Sequence, residues 1–288
     1  MIGNLLGVLF DGVAYGALLF LISIGLSVTM GLMNFVNLAH GAFAMLGGYA
    51  TVVLMARLGV PFLAALPIAF LVAALSGAVL ERLLYRRLYK ASHLDQVLFS
   101  IGLTFMAIAT ATYVFGPGMQ PVELPAFLIG QVKVFGLELG AYRLFLIALV
   151  IVITIVLVLL LERTQFGAQV RASVDSQQAA AGLGIDVNRV FSLTFALGSG
   201  LAGLGGGLGI EVLGLDPTFP IKYMVYFLLV VAVGGAGAIK GALLAALILG
   251  IFDVAGKYFV PAVGAFVIYV LMVVLLILFP AGLYGRRG

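Results

Sequence analysis

Leu144-Phe-Leu-Ile-Ala-Leu-Val-Ile-Val-Ile-Thr154-Ile-Val-Leu-Val-Leu-Leu-Leu161 runs for eighteen residues with one polar side chain and stops at Glu162-Arg163-Thr164-Gln165. About 20 apolar residues cross the hydrocarbon layer of a bilayer as a helix. In that medium every backbone amide must be satisfied internally, which leaves helices or closed barrels. The rest of the chain is of the same kind. Of 288 residues, 64% are hydrophobic and 9% charged, against roughly 45–50% and 25% in soluble domains. A water-soluble catalytic domain is excluded. The ten-residue alternation of barrel strands is absent. Spans read near 5–32, 38–57, 61–80, 97–115, 142–161, 190–213, 223–239, 241–260 and 262–279. The second and the last-but-one have the character of broken or re-entrant segments, so eight is the other count. The expected fold is all-α, a polytopic transmembrane helical bundle forming one domain over residues 1–288.

Three hydrophilic segments interrupt the apolar runs: about 81–96, about 162–189 and the Arg286-Arg287 tail. If all three face the cytoplasm, nine spans put the amino terminus outside. Ten of the fifteen basic residues then lie inside, counting Lys240 in a short turn, and five lie outside: Arg57, Lys133, Arg143, Lys222 and Lys257. That asymmetry follows the positive-inside rule, and it accounts for the net charge of +4 without a nucleic-acid partner. The loop at about 116–141, with Gly116-Pro117-Gly118, Pro121 and Pro125, is then external, with a short hairpin or helix near 131–139.

Chemistry-bearing residues are sparse. There is no cysteine, and His40 and His93 have no zinc-like spacing. No Ser/His/Asp, His/Glu or paired-Asp cluster lies within a span, which argues against an intramembrane enzyme. Asp11, Glu211, Asp253 and Lys257 sit near predicted span ends, and Asp253 with Lys257 has the i,i+4 spacing of an interfacial ion pair. No acidic residue stands convincingly at mid-membrane, as a proton- or sodium-driven carrier would require. An ion-coupled secondary transporter or facilitator of small organic solutes is therefore the alternative reading.

Gly31-Leu-Met-Asn34-Phe-Val-Asn37-Leu-Ala-His40-Gly41 is the densest polar stretch in the apolar amino-terminal half. Asn34, Asn37 and His40 recur every three residues, so they share a helix face or line a helix break. With Thr104 they are the translocation-path candidates. Gly198-Ser-Gly200-Leu-Ala-Gly203 matches the bare dinucleotide pattern but lies inside an apolar run with no strand before it. Gly203 with Gly207, and Gly205 with Gly209, have the small-xxx-small spacing of close helix packing. Gly234, Gly237 and Gly241 surround Lys240 without a Walker pattern and read as a tight break between spans. The loop at 162–189 is too long for a connector. Ser173 is expected to cap a short helix with Asp175 in its first turn and Gly182 or Gly184 as its stop. Such a helix either presents a rigid knob to a soluble partner or shields the span ends.

These segments, taken in order with Leu46-Gly-Gly-Tyr49, Ser100-Ile-Gly-Leu-Thr104, Leu183-Gly-Ile185, Arg189-Val190, Gly234-Gly-Ala-Gly237 and Pro280-Ala-Gly-Leu283-Tyr-Gly285, resemble the Liv-type permease subunits of branched-chain amino acid ABC importers over nearly the whole length. The resemblance implies an ABC importer permease fold in a bacterial inner membrane. It implies a second, related permease as partner, two cytoplasmic ATPase subunits that hydrolyse the ATP, and an extracytoplasmic binding protein delivering leucine, isoleucine or valine. The chain itself would bind no cofactor and catalyse no reaction. The loop would be the ATPase-coupling helix, with Asp175, Ala180, Gly184 and Ile185 as its coupling residues. Ser176 stands where the family often has an acidic residue, and the basic loop lacks the proline often seen near Arg87. A single cysteine introduced at position 178 of this cysteine-free chain is expected to react with a membrane-impermeant thiol reagent only from the cytoplasmic side. Labelling from outside would reverse the orientation.

Overall fold

The computed structural model describes residues 2–33, 35–134 and 136–284. Among the described residues there are eleven α-helices: α1 (Ile2–Met33), α2 (His40–Leu58), α3 (Phe62–Leu83), α4 (His93–Phe115), α5 (Ala141–Arg163), α6 (Gln165–Asp175), α7 (Gln177–Gly182), α8 (Val187–Leu213), α9 (Phe219–Gly234), α10 (Ile239–Phe259) and α11 (Gly264–Leu278). Seven of them, α1 to α5, α8 and α10, are long and apolar enough to cross a membrane, whereas α9 and α11 are apolar but only 16 and 15 residues long. The segment expected at 223–239 starts earlier, with Pro220 in the first turn of α9, and ends earlier, where Gly235 turns out of the helix at φ 91°. The helix expected from 262 starts at Gly264, after a turn containing Pro261. α2 is continuous from His40, so the break lies between α1 and α2 and not inside the second span.

The 116–141 connection contains an antiparallel hairpin, β1 (Gln131–Val134) with β2 (Leu137–Gly140), in which Lys133 lies opposite Glu138. It sits at the end of the bundle where Arg143 pairs with Asp11 at 2.6 Å. The opposite end gathers the last turns of α1, α3 and α5, the helices α6 and α7, the start of α8 and the α9–α10 turn.

α8 is the axis. Within its most apolar stretch 78% of residues are buried, against 17% in α4 and α5 at the rim. The cause is its run of glycines. A methyl group at Gly203 would strike the Cβ of Ala73 in α3, one at Gly47 of α2 would strike the Gly203 backbone, and one at Gly25 of α1 would strike Gly198. Gly207 has the Thr51 hydroxyl 2.6 Å from where its Cβ would stand. α1 and α2 thus meet α8 backbone to backbone, and α3 meets it through the small side chain of Ala73. Each helical glycine sacrifices roughly 0.5–1 kcal/mol of helix propensity relative to alanine, which only close van der Waals contact offsets in lipid. Gly47→Ala is expected to lower thermal stability in detergent by about 1–3 kcal/mol. Gly102→Ala, whose Cβ would meet nothing within 4 Å, is expected to leave the melting temperature unchanged or slightly raised.

Candidate functional site

At the end opposite the hairpin, Thr164 leaves α5, and its Oγ1 accepts from Gly167 N at 3.2 Å, opening α6. The Arg171 guanidinium donates back to the Leu161 carbonyl, folding α6 against the end of α5. This extra helix alters the capping expected from the sequence. Ser173 lies buried in the body of α6, and Asp175 ends α6 instead of opening the next helix. The cap of α7 is Ser176, extended at φ −158°, with its Oγ accepting from Ala179 N at 3.2 Å. α7 closes on Gly184 at φ 82°, with Ile185 N donating to Ala180 O at 3.1 Å and Gly184 N to Ala181 O at 3.0 Å. That is the left-handed glycine closure that satisfies orphan carbonyls. Asp186 then caps α8 by accepting from Arg189 N at 3.0 Å. The result is a short foot with its turns fastened. Ala180 faces inward at 1% exposure, while Leu183, which sequence reasoning passed over as a contact, is 80% exposed at the tip. Ala180 therefore seats the foot and does not form its outer face.

The polar stretch is placed differently. Asn34 lies outside the described residues. Phe35 to Ala39 form a non-helical link between α1 and α2. Asn37 Oδ1 accepts from Ala39 N at 3.1 Å and from the Tyr85 hydroxyl at 2.9 Å. His40 Nε2 lies 2.8 Å from the Ile22 carbonyl, so this nitrogen carries the hydrogen. Thr104 donates to Ser100 O at 2.8 Å and stands 3.5 Å from Leu38 O. Asn37, His40 and Thr104 thus converge on the break, buried, with their polar groups engaged inside the protein. Beside them α2, α3 and α4 leave an open cavity of 330 Å³, lined by Phe43, Met45, Leu46, Leu103 and Met106 and by Tyr49. A second cavity, of 580 Å³, lies at the root of the foot, between Val28 and Leu32 of α1, Glu162, Arg171, Asp175 and Lys240. Its far wall is the α9–α10 turn. There Gly237, at φ 79°, donates its amide to Ser27 O at 2.9 Å, and Gly234 and Gly241 pack backbone against backbone.

Glu81 was expected in a solvated cytoplasmic loop. It is instead fully buried in the last turn of α3. Ser192 of α8 donates to its Oε2, and the Tyr89 hydroxyl to its Oε1 at 2.6 Å. Arg86 stands 3.5 Å from Oε2 and donates to Ser192 Oγ at 3.0 Å. Burial holds the Tyr85 phenol above its ordinary range, and burial with the Glu81 hydrogen bond and charge does the same for Tyr89, so both remain donors. A buried carboxyl group needs such a set of donors. The signal in the sequence was faint: two tyrosines among the basic residues of Leu84-Tyr-Arg-Arg-Leu-Tyr89. At the other end of the bundle Asp253 and Lys257 form the i,i+4 pair at 2.5 Å, with the carboxyl group buried and the ammonium group exposed. Among the described residues no group of three His, Cys, Asp or Glu side chains is disposed to hold a metal ion.

The family described as branched-chain amino acid transport system / permease component matches residues 8–276. The high-affinity branched-chain amino acid transport system permease protein LivH of Escherichia coli strain K12 is 28% identical over 294 aligned positions, covering 96% of this chain and 94% of its own length. The corresponding protein BraD of Pseudomonas aeruginosa is 27% identical, covering 96% of this chain and 95% of its own. A probable LivH permease of Methanocaldococcus jannaschii is also 27% identical, covering 96% and 92%. No solved structure matches the chain. The fold and these matches define a multi-pass membrane transport component, not an enzyme. The chain belongs to the family of branched-chain amino acid transport system permeases.

Asn37→Ala is expected to destabilise the protein by about 1–3 kcal/mol, because it leaves the buried Tyr85 hydroxyl without its acceptor. Adding Tyr85→Phe is expected to recover part of that loss, read as the melting temperature in detergent.

Proposed function

We propose that this chain is one half of a two-permease conduit that carries leucine, isoleucine and valine inward across a bacterial inner membrane. Two cytoplasmic ATPase subunits supply the energy, one seated on the α7 foot of this chain and the other on the matching foot of the second permease. An extracytoplasmic binding protein supplies the substrate at the opposite end. The observation that carries this reading is the foot itself. Six helical residues, fastened by Ser176 before and Gly184 after, present Gln177, Gln178, Ala181 and the exposed Leu183 away from the bundle. A loop that only shielded span ends would turn Leu183 inward. The foot stands on the end of the molecule that carries Arg82, Arg86, Arg87, Lys90 and Lys240, the side that the positive-inside rule assigns to the cytoplasm.

The energy source lies in another subunit. Gly198, Gly200 and Gly203 are packed inside the bundle against Gly25, Phe70 and Ala73, leaving no loop to cradle phosphates. ATP binding draws the two ATPases together, moves both feet and rocks the spans between inward- and outward-open arrangements. The apolar cavity between α2, α3 and α4 suits aliphatic side chains, and the names of the relatives point to the same substrate class.

Leu183→Asp is expected to abolish co-purification of the ATPase subunits and to lower leucine uptake in proteoliposomes of the full complex at least about tenfold, with the melting temperature of the permease unchanged. Undiminished association and uptake, or leucine uptake by this chain alone driven by an ion gradient, would overturn the proposal.

A further inference from the structure

A carboxyl group buried in a membrane protein is expensive to keep. Replacing a buried ion pair by apolar side chains is often neutral or stabilising, so a contact that served stability alone would be better built without charge. Glu81 nonetheless stands at 0% exposure with donors on both oxygens, and they come from separate segments. Ser192 belongs to α8, Arg86 to the single 3-10 turn Tyr85–Leu88, and Tyr89 to the stretch that follows it. Above this point α3 and α8 touch through small or apolar groups, Gly77 with Ser199, Phe70 with Gly200 and Ala73 with Gly203. Among the described residues, Glu81 with Ser192 is the side-chain hydrogen bond that pins one helix to the other.

The pin has connections on both sides. Towards the foot, Ser192 lies six residues beyond Asp186, the cap that joins the closure of α7 to α8. A displacement of α7 therefore reaches Ser192 through a little over one turn of continuous helix. Towards the membrane, the turn that Arg86 and Tyr89 anchor also carries Tyr85. Its hydroxyl donates to Asn37 at 2.9 Å, and its ring packs on Phe35 at 5.3 Å and Phe195 at 4.7 Å between centroids. Asn37 in turn holds the link that places His40 against Ile22 in the middle of α1. One run of bonded groups thus connects the inner end of the molecule to the break between α1 and α2.

We propose that Glu81, with Ser192 and Tyr85, is a positioning linkage that passes displacement of the α7 foot to the α1–α2 break and so couples ATP use to opening of the pathway. This rests on the reading of the foot as the ATPase seat. The test uses the complete transporter, with both permeases, both ATPases and the binding protein, in proteoliposomes. It compares wild type with Glu81→Gln, Ser192→Ala and Tyr85→Phe. ATPase subunits are expected to co-purify with all of them. Leucine taken up per ATP hydrolysed is expected to fall about tenfold in Glu81→Gln and several-fold in the other two.

A second measurement separates coupling from damage to the fold. Spin labels on single cysteines at position 178 or 38 of the cysteine-free chain, each paired with a label at position 152 on the rim, report distance changes on ATP binding. In wild type both positions are expected to move. In Glu81→Gln, or in Tyr85→Phe if the first variant does not assemble, position 178 is expected to move and position 38 to stay. Unchanged uptake per ATP in Glu81→Gln and Tyr85→Phe, or movement at position 38 that survives both substitutions, would overturn the linkage. A wild-type position 178 that does not respond to ATP would instead overturn the reading of the foot.

Discussion

In water, helices gather because apolar surface leaves solvent. In hydrocarbon that force is missing between helices, and a bundle holds only where backbones approach closely enough for dispersion to act over a long seam. α8 meets this requirement with a series of glycines between Gly198 and Gly209 on its buried faces. Gly198 lets α1 approach to backbone contact, Gly203 and Gly206 let α2 do the same, and Gly203 also receives the Ala73 methyl of α3. Everything with a functional reading hangs from that axis. Its first turn carries the foot, Ser192 ties it to α3, and Gly203 locates α2 and hence the break that precedes it.

The same medium explains why Asn37 and His40 are tied to backbone groups. Phe35 to Ala39 are non-helical between two helices long and apolar enough to cross a membrane, and in such a medium non-helical backbone is tolerable only where protein supplies the missing hydrogen bonds. Asn37 and His40 supply them, reaching backbone groups at Ala39 and Ile22. A residue type that suggests a substrate contact in the sequence here props up an interruption of the helix. The two readings are compatible if the link rearranges during transport.

Much of this was legible in advance. Long apolar runs identify the helices with little ambiguity, because the bilayer imposes length and composition together. The glycine-rich break near Lys240 was legible for the same reason, since Gly235 and Gly237 adopt positive φ within a few residues of each other. Caps were less so. Ser173 and Ser176 are both good capping residues, and the choice between them depended on whether Thr164 opened a helix of its own, a decision taken by packing of Arg171 against the end of α5. Glu81 was the least legible. In a segment with four basic residues a glutamate looks solvated, and only the return of α8 past the end of α3 brings Ser192 over it. Long-range partners of this kind leave no local pattern to read.

α9 and α11 have a consequence for the surrounding lipid. At 1.5 Å per residue, helices of 16 and 15 residues reach about 24 and 22 Å, short of the about 30 Å of an average hydrocarbon layer. α11 lies on the outside of the bundle, with Phe266, Val270, Val273 and Ile277 exposed. A helix of that length that faces lipid is met by acyl chains that splay or shorten, an arrangement that thin, fluid surroundings favour. Hydrophobic mismatch on one side then becomes a mechanical load on any rocking of the spans, and acyl-chain length becomes a variable that acts on transport.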